Sequence, residues 1–232
     1  MINKTVASVA DAVAGIPDGA TIMMGGFGRA GQPVDLIDGL IATGAKHLTV
    51  INNNAGNGTT GLAALLANGQ VDKMICSFPR QVDSQVFDGL YRAGAIELEL
   101  VPQGNLAERI RAAGAGIGAF FTPTGFGTTL ADGKETRQID GRDYVLEYPI
   151  SADFALVSAY KADRLGNLVF RKTARNFGPI MATAATTTIV QADEIVTDGA
   201  LDPEAIVTPG IFVDRVVAVG SRFELEEWAD VR

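Results

Sequence analysis

The chain has 232 residues but only one cysteine, Cys76, and one histidine, His47. A lone thiol excludes an internal disulfide, and a single histidine leaves no Cys/His cluster that could hold zinc. Long apolar runs are equally scarce, and no stretch approaches the length of a membrane span. The opening Met1-Ile2-Asn3-Lys4 runs into Val6-Ala7-Ser8-Val9-Ala10-Asp11, without the apolar core or cleavage pattern of a secretory signal. A cytoplasmic location is therefore expected. Basic residues are in the minority, 19 against 27 acidic ones, for a formal charge of -8. That sign opposes an electrostatic hold on nucleic acid or on an anionic membrane, so neither is expected as a partner. What the chain does have is apolar side chain, 47% of its residues, enough to bury the core of one large domain.

Short branched apolar runs alternate with longer segments of helical spacing, the pattern of an α/β fold with a layered, mostly parallel sheet and helices on both faces. The strand candidates are Thr21 to Met24, Leu48 to Ile51, Lys73 to Ser77, Glu97 to Val101, Ile117 to Phe121, Phe154 to Val157, Leu168 to Phe170 and Thr187 to Ala192, with a last one near Val213 to Val219. Between them lie helix candidates at Pro33 to Thr43, Thr60 to Ala67, Ser84 to Arg92, Leu106 to Ala113 and Asn176 to Ala185. One stretch breaks the alternation: two strand-like runs flank Asp140-Gly141 and predict a β-hairpin inserted at 132–147. The expected organisation is one domain over 1–220 and an acidic C-terminal tail over 221–232, read as a surface helix or loose end.

The richest local pattern runs from Asp18 to Pro33, where a strand delivers Gly25-Gly26-Phe27-Gly28-Arg29-Ala30-Gly31 to a helix that Pro33 opens. Glycines permit tight turns and close approach of backbone to a ligand, and a helix start offers N–H donors to an anion. Within it Gly26 to Gly31 is a literal G-x-G-x-x-G. A dinucleotide fold would add an acidic residue about twenty positions on to hold the ribose. No Asp or Glu occurs between Asp38 and Asp72, and the second strand ends instead in Asn52-Asn53-Asn54-Ala55-Gly56. A nicotinamide site is therefore set aside, while a purely structural strand-to-helix turn stays open.

The run of Asp-Gly, three apolar residues, Gly-Gly-Phe, a further Gly and a Pro resembles the first-subunit signature of family I CoA-transferases, and all sixteen positions from Asp18 to Pro33 fit it. The resemblance continues through Asn53-Asn54-Ala55-Gly56, Cys76-Ser77-Phe78-Pro79-Arg80, Val101 to Arg109, Phe121 to Gly125 and Ala174-Arg175-Asn176-Phe177. Gly133 to Glu147 resembles the 3-oxoadipate branch more than the acetoacetate branch, and a subunit acting on acetoacetate or another short-chain acid stays the alternative. The resemblance implies the alpha chain of an α2β2 enzyme moving CoA from succinyl-CoA to a 3-oxo acid, with the CoA thioester as substrate and no permanently bound cofactor or metal. It implies a nucleophilic glutamate in a Ser-Glu-Asn-Gly motif of the β subunit. No Ser-Glu-Asn occurs here, so no catalytic nucleophile is expected in this chain.

What the resemblance leaves to this chain is binding. It implies a CoA-binding loop formed by Gly25, Gly26, Phe27, Gly28, Arg29, Ala30 and Gly31, whose amides would stabilise anionic oxygen. It places Gln103, with Gly104, in a Pro-Gln-Gly turn facing the reacting carboxylate, where an uncharged amide donates without forming an ion pair. Asn53 and Asn54 would line the same cleft, although asparagine is also an ordinary turn residue. Arg175 and Asn176 stand either near the substrate or, for Asn176, as a helix cap. Arg29 could meet the remote charge of a dicarboxylic substrate or simply sit in solvent. His47 reads as a surface residue and Cys76 as a small buried hydrophobe. A sugar-phosphate isomerase or deaminase is the competing enzyme class, because such enzymes share this type of fold, but it would need an acid/base residue that the glycine, Asn and Gln turns do not supply. A non-catalytic small-molecule binding module is the third reading.

Overall fold

A computed structural model describes residues 2–220, and the acidic stretch 221–232 lies outside the described residues. Its main sheet has the order β11-β10-β8-β1-β2-β3-β4. On one side stand β1 (Thr21–Met24), β2 (Leu48–Ile51), β3 (Val71–Cys76) and β4 (Glu97–Leu100); on the other stand β8 (Ala152–Asp163), β10 (Ala185–Val196) and β11 (Arg215–Ala218). Every neighbouring pair along this order is parallel. The run predicted at Leu168 to Phe170 forms β9 (Leu168–Val169), which lies antiparallel on β8.

The central strands β1 and β2 read as nearly continuous apolar runs because both faces of the sheet are covered there. With side chains alternating at a period of two, Ile22 and Met24 of β1 face one core, while Met23 faces the other. The first core packs under α1 (Val9–Val13), α2 (Val34–Thr43), α3 (Leu62–Ala67) and α4 (Gln85–Arg92), through Leu36, Leu40, Leu65 and Phe87. The second packs under α5 (Gln103–Gly114) and α6 (Gly178–Thr183), through Leu106, Ile110 and Met181. Cys76 is fully buried in the first core, and burial pushes its thiol up to about 12. His47 is exposed, with Nδ1 2.9 Å from Asp72 Oδ2.

Three expectations from the sequence change here. The strand expected at Ile117 to Phe121 begins later, as β5 (Phe120–Thr122), and leaves the main sheet. It pairs with β7 (Arg142–Glu147), which pairs in turn with β6 (Thr136–Ile139), so the expected hairpin is two-thirds of a three-stranded antiparallel sheet. The hairpin turn itself matches its chemistry, because Asp140 and Gly141 both take positive φ, 50° and 76°. Finally, α5 starts at Gln103 rather than Leu106. The Pro102 carbonyl accepts from Leu106 N at 2.8 Å, so the Pro-Gln-Gly run opens a helix instead of making a turn.

Candidate active site

The chain builds outward from β1 to β4 and then returns to the other flank of β1 with β8, so the strand order reverses between β1 and β8. In open parallel sheets the crevice at such a reversal, at the carboxyl ends of the strands, is where ligands bind. The loops that follow β1, β2, β3 and β4 all leave from that edge. They carry, in order, the glycine loop, the asparagine triplet, Ser77 to Asp83, and Gln103.

The glycine loop sits at the reversal, where Gly25 N donates to Leu156 O of β8 at 2.9 Å. Phe27 and Ala30 exchange backbone hydrogen bonds at 3.0 and 3.2 Å, closing a tight turn with Gly28 and Arg29 at its tip and Gly28 at a φ of 60°. Asn176 clamps this turn from the far side of the sheet order. Its Oδ1 accepts from Gly26 N at 3.1 Å and from Phe177 N at 2.7 Å, and its Nδ2 donates to Ala30 O at 2.9 Å and Thr173 O at 2.8 Å. The helix that follows has Phe177 as its N-cap without a side-chain cap bond, so Asn176 is a brace for the glycine loop and not the cap its position suggested. Gly31 is required sterically, since a Cβ there would lie 2.3 Å from Ala174 O, and its φ is 73°.

These contacts narrow the anion-binding expectation for the loop. The amides of Gly25, Gly26, Phe27 and Ala30 are already engaged by protein acceptors. The start of α2 is occupied too: buried Gln191 accepts from Leu36 N through Oε1 at 3.1 Å and donates through Nε2 to Asp35 Oδ2 at 3.1 Å. An acidic side chain in that first turn further opposes an anion. Binding of anionic groups is left to other amides and to side chains.

The asparagines at the end of β2 join the loops into one unit. Asn52, which sequence reasoning passed over, donates through Nδ2 to Met24 O at 2.6 Å and so ties β2 to the start of the glycine loop. Asn53 accepts from Ser77 Oγ at its carbonyl (3.0 Å) and at Oδ1 (2.6 Å), joining β2 to β3. Asn54 Oδ1 accepts from Gly56 N at 3.1 Å, while its Nδ2 has no hydrogen-bond partner although the residue is only 1% exposed.

Gln103 and Gly104 are exposed in the first turn of α5. The helix is anchored by a polar cluster on buried Glu147, whose Oε1 accepts from Lys134 Nζ at 2.8 Å and from Asn105 Nδ2 at 3.2 Å, with Arg109 Nε 3.8 Å from its Oε2. Arg109 also donates to Tyr148 O at 2.8 Å and to Glu99 at 3.3 Å. Burial alone would raise Glu99, but Lys73 and Arg109 together hold it below the usual carboxylate range. Three strand spacings, about 14 Å, separate β4, which precedes Gln103, from β1, which precedes the glycine loop. Arg175 lies exposed in the short 3-10 turn Lys172–Arg175 beside the glycine loop.

Two open depressions lie along this edge. One, of about 530 Å³, is lined by Asn57, Phe78, Arg80, Gln81, Val82 and Asp83; the other, of about 230 Å³, by Arg29, Asn57, Gly58, Thr59, Thr60 and Asp83. Most of these residues were not singled out from sequence. Beyond Arg29, the signal was the Ser-Phe-Pro-Arg run, whose Phe78 is 58% exposed shortly after a core strand. Among the described residues no group of His, Cys, Asp and Glu could hold a metal ion, and no helix is long and apolar enough to cross a membrane.

The family profile described as Coenzyme A transferase matches residues 6–219. Over 219 residues the chain is 72% identical to the A chain of 3-oxoadipate CoA-transferase from Pseudomonas putida, covering 94% of this chain and 95% of that one. Over 215 residues it is 52% identical to the A chain of succinyl-CoA:3-ketoacid coenzyme A transferase from Xanthomonas campestris pv. campestris, covering 92% and 88%. In fold it is similar to the acyl-CoA transferase apoenzyme of Escherichia coli O157:H7, with a TM-score of 0.83 at 23% identity. The match covers 94% of this chain but 47% of that one, so the present chain spans about half the length of that solved protein.

Proposed function

Because this chain belongs to the Coenzyme A transferase family, we propose that it is the α chain of a heteromeric, cytoplasmic α2β2 enzyme that transfers CoA from succinyl-CoA to 3-oxoadipate. The observation that carries this reading is the 72% identity to one chain of a 3-oxoadipate CoA-transferase over nearly the full length of both. In this reading the β subunit supplies a glutamate. Its carboxylate attacks the succinyl thioester carbonyl and expels CoA thiolate, leaving a mixed anhydride. The thiolate then attacks the glutamyl carbonyl and releases succinate, leaving a glutamyl-CoA thioester. The 3-oxo acid carboxylate reverses these steps and departs as its CoA ester. No electron changes hands and no resident cofactor or metal is needed.

This chain's part is to bind and orient. Gly25 to Gly31 form the surface along which CoA approaches, through close backbone contact more than through amides already engaged. Gln103 and Gly104 meet the reacting carboxylate, with Asn53 and Asn54 holding the loops between them and Asn54 Nδ2 offering a donor. Arg175 stands beside the loop that Asn176 braces. An exposed amide on a helix start can donate to carboxylate oxygen without fixing an ion pair that the reaction must break.

The test is co-expression with a β subunit carrying Ser-Glu-Asn-Gly, followed by an assay of succinyl-CoA against 3-oxoadipate. Transfer should require both chains. Gln103→Ala should cut kcat/KM about 5- to 150-fold, the scale of about one to three kcal/mol for a polar contact left unmade. Full turnover by this chain alone would reject the two-subunit reading, and an unchanged Gln103→Ala enzyme would remove Gln103 from the site.

A further inference from the structure

We infer that Asn105 and Glu147 are positioning residues for Gln103: the small three-stranded sheet grips α5 from behind and so fixes where that glutamine stands at the carboxyl edge. The inference rests on the transferase reading above, which puts Gln103 against the reacting carboxylate, and adds the device that aims it.

The start of α5 has no side-chain cap. Its N-cap is Pro102, which has no polar side chain, so the bond that ordinarily ties a first turn is missing. The far end is packed tightly, since a Cβ on Gly114 would collide with the Thr183 side chain of α6. From Gly114 back to Gln103 is about 16 Å of helix at 1.5 Å per residue, so a tilt of about 3° at that end moves Gln103 by about 1 Å. Whatever holds the first turns sideways therefore decides where the glutamine stands.

The helix period says which side is held. Gln103 continues the row of Leu106 and Ile110, both fully buried in the second core, to the edge where that core ends and the glutamine is exposed. Asn105 lies about 160° around the helix from Gln103, and Arg109, one turn on, shares its side. That side meets the small sheet. Asn105 is 3% exposed and donates through Nδ2 to Glu147 Oε1 at 3.2 Å and to Thr124 O, in the loop after β5, at 3.3 Å. Arg109 donates to Tyr148 O at 2.8 Å, and its own carbonyl accepts from Ile150 N at 3.0 Å. Glu147 is held in turn by Lys134 Nζ at 2.8 Å. The first turns of α5 are thus caught between the second core and the small sheet. Asn105 and Glu147 are both buried, so they act through the helix and not on a ligand.

The experiment uses the assembled two-subunit enzyme and reads kcat/KM for 3-oxoadipate at saturating succinyl-CoA, at a temperature where melting curves show every variant folded. Asn105→Ala should lower kcat/KM about tenfold, chiefly in kcat and by no more than Gln103→Ala does; a 1 Å misplacement can cost about a hundredfold. In a Gln103→Ala background the same change should cost nothing further, because no amide is left to misplace. Asn105→Asp sets two carboxylates face to face and should do at least as much harm. Adding Glu147→Gln to it restores a hydrogen bond in the reverse direction and should recover part of the rate. Where Asn105→Ala does not assemble, Glu147→Gln is put through the same two backgrounds. Losses that multiply in the double variant overturn the inference, since the effect of Asn105 would then not pass through Gln103, and so does an Asn105→Ala enzyme with wild-type kinetics. If Gln103→Ala is without effect while Asn105→Ala is not, Gln103 leaves the site and the inference falls with the transferase reading intact. Wild-type enzyme that transfers no CoA rejects that reading and takes this inference with it.

Discussion

Asn176 links two segments 150 positions apart, and both ends of its amide are engaged: Oδ1 takes the Gly26 amide while Nδ2 gives to Ala30 O. A side chain with that arrangement has little tolerance for change. Asn176→Ala should lower the stability of the chain by about 1–3 kcal/mol, since half-buried backbone groups lose their partners and recover them only partly from water. Asn176→Asp keeps the acceptor but points a second oxygen at two carbonyls, and should be no better. Thermal melts of the purified chain measure this, and a melting temperature equal to wild type in both variants would show that the loop holds itself. Asn176 was visible in the sequence as a residue of interest, but its role was not. Hydrogen-bond capacity is a property of the residue, whereas the partner is a property of the fold.

At the scale of elements, the three-stranded sheet of β5, β6 and β7 is joined to α5 through Glu147, which is 4% exposed and faces Lys134, Asn105 and Arg109. A buried carboxylate in such company stabilises only as part of the set, and its removal leaves cations without a partner. Breaking a fully buried pair costs roughly 3–5 kcal/mol. Lys134 is about a third exposed and Arg109 retains Glu99, so Glu147→Gln should cost less, about 2–3 kcal/mol after that discount. The loss should be local. Hydrogen exchange should quicken in Phe120–Thr122 and Thr136–Ile139 while β1 to β3 stay protected, because those strands share none of these contacts. Uniform exchange across the chain would mean that Glu147 supports the whole domain and not the attachment of one sheet. The hairpin turn was legible from Asp140-Gly141 because local chemistry demands positive φ there. The third strand was not, because its pairing joins Phe121 to Leu146 across the intervening loop and hairpin, and no local pattern specifies it.

For the whole molecule, the edge that gathers the loops also exposes Phe27, Phe78 and Val82, the last at 96%. Apolar side chains grouped at a ligand edge are covered when a partner arrives. Mixing this chain with the proposed β subunit should therefore raise its melting temperature in a concentration-dependent way, by the equivalent of about 2.7 kcal/mol when the partner is at a hundred times its dissociation constant. Differential scanning calorimetry across a titration of the β subunit measures it. A melting temperature independent of the partner would mean that the two chains do not meet through a stable interface.

The sequence by itself determined the class of the fold and the position of the glycine and asparagine loops. Apolar period and turn chemistry are local, so β1, β2, the helix after the glycine loop and the hairpin turn could be read where they stand. The absence of an acidic residue after the second strand argued against a nicotinamide site on chemistry alone. What only the tertiary structure decided is which loops become neighbours and what each side chain faces. The return of β8 to the free flank of β1 brings Asn176 to Gly26, and the pairing of β1, β2 and β3 sets Arg29 near Asn57 and Asp83. Such meetings join residues far apart in the chain, and the free energy that selects them comes from burying both faces of the sheet at once, a quantity no single segment carries.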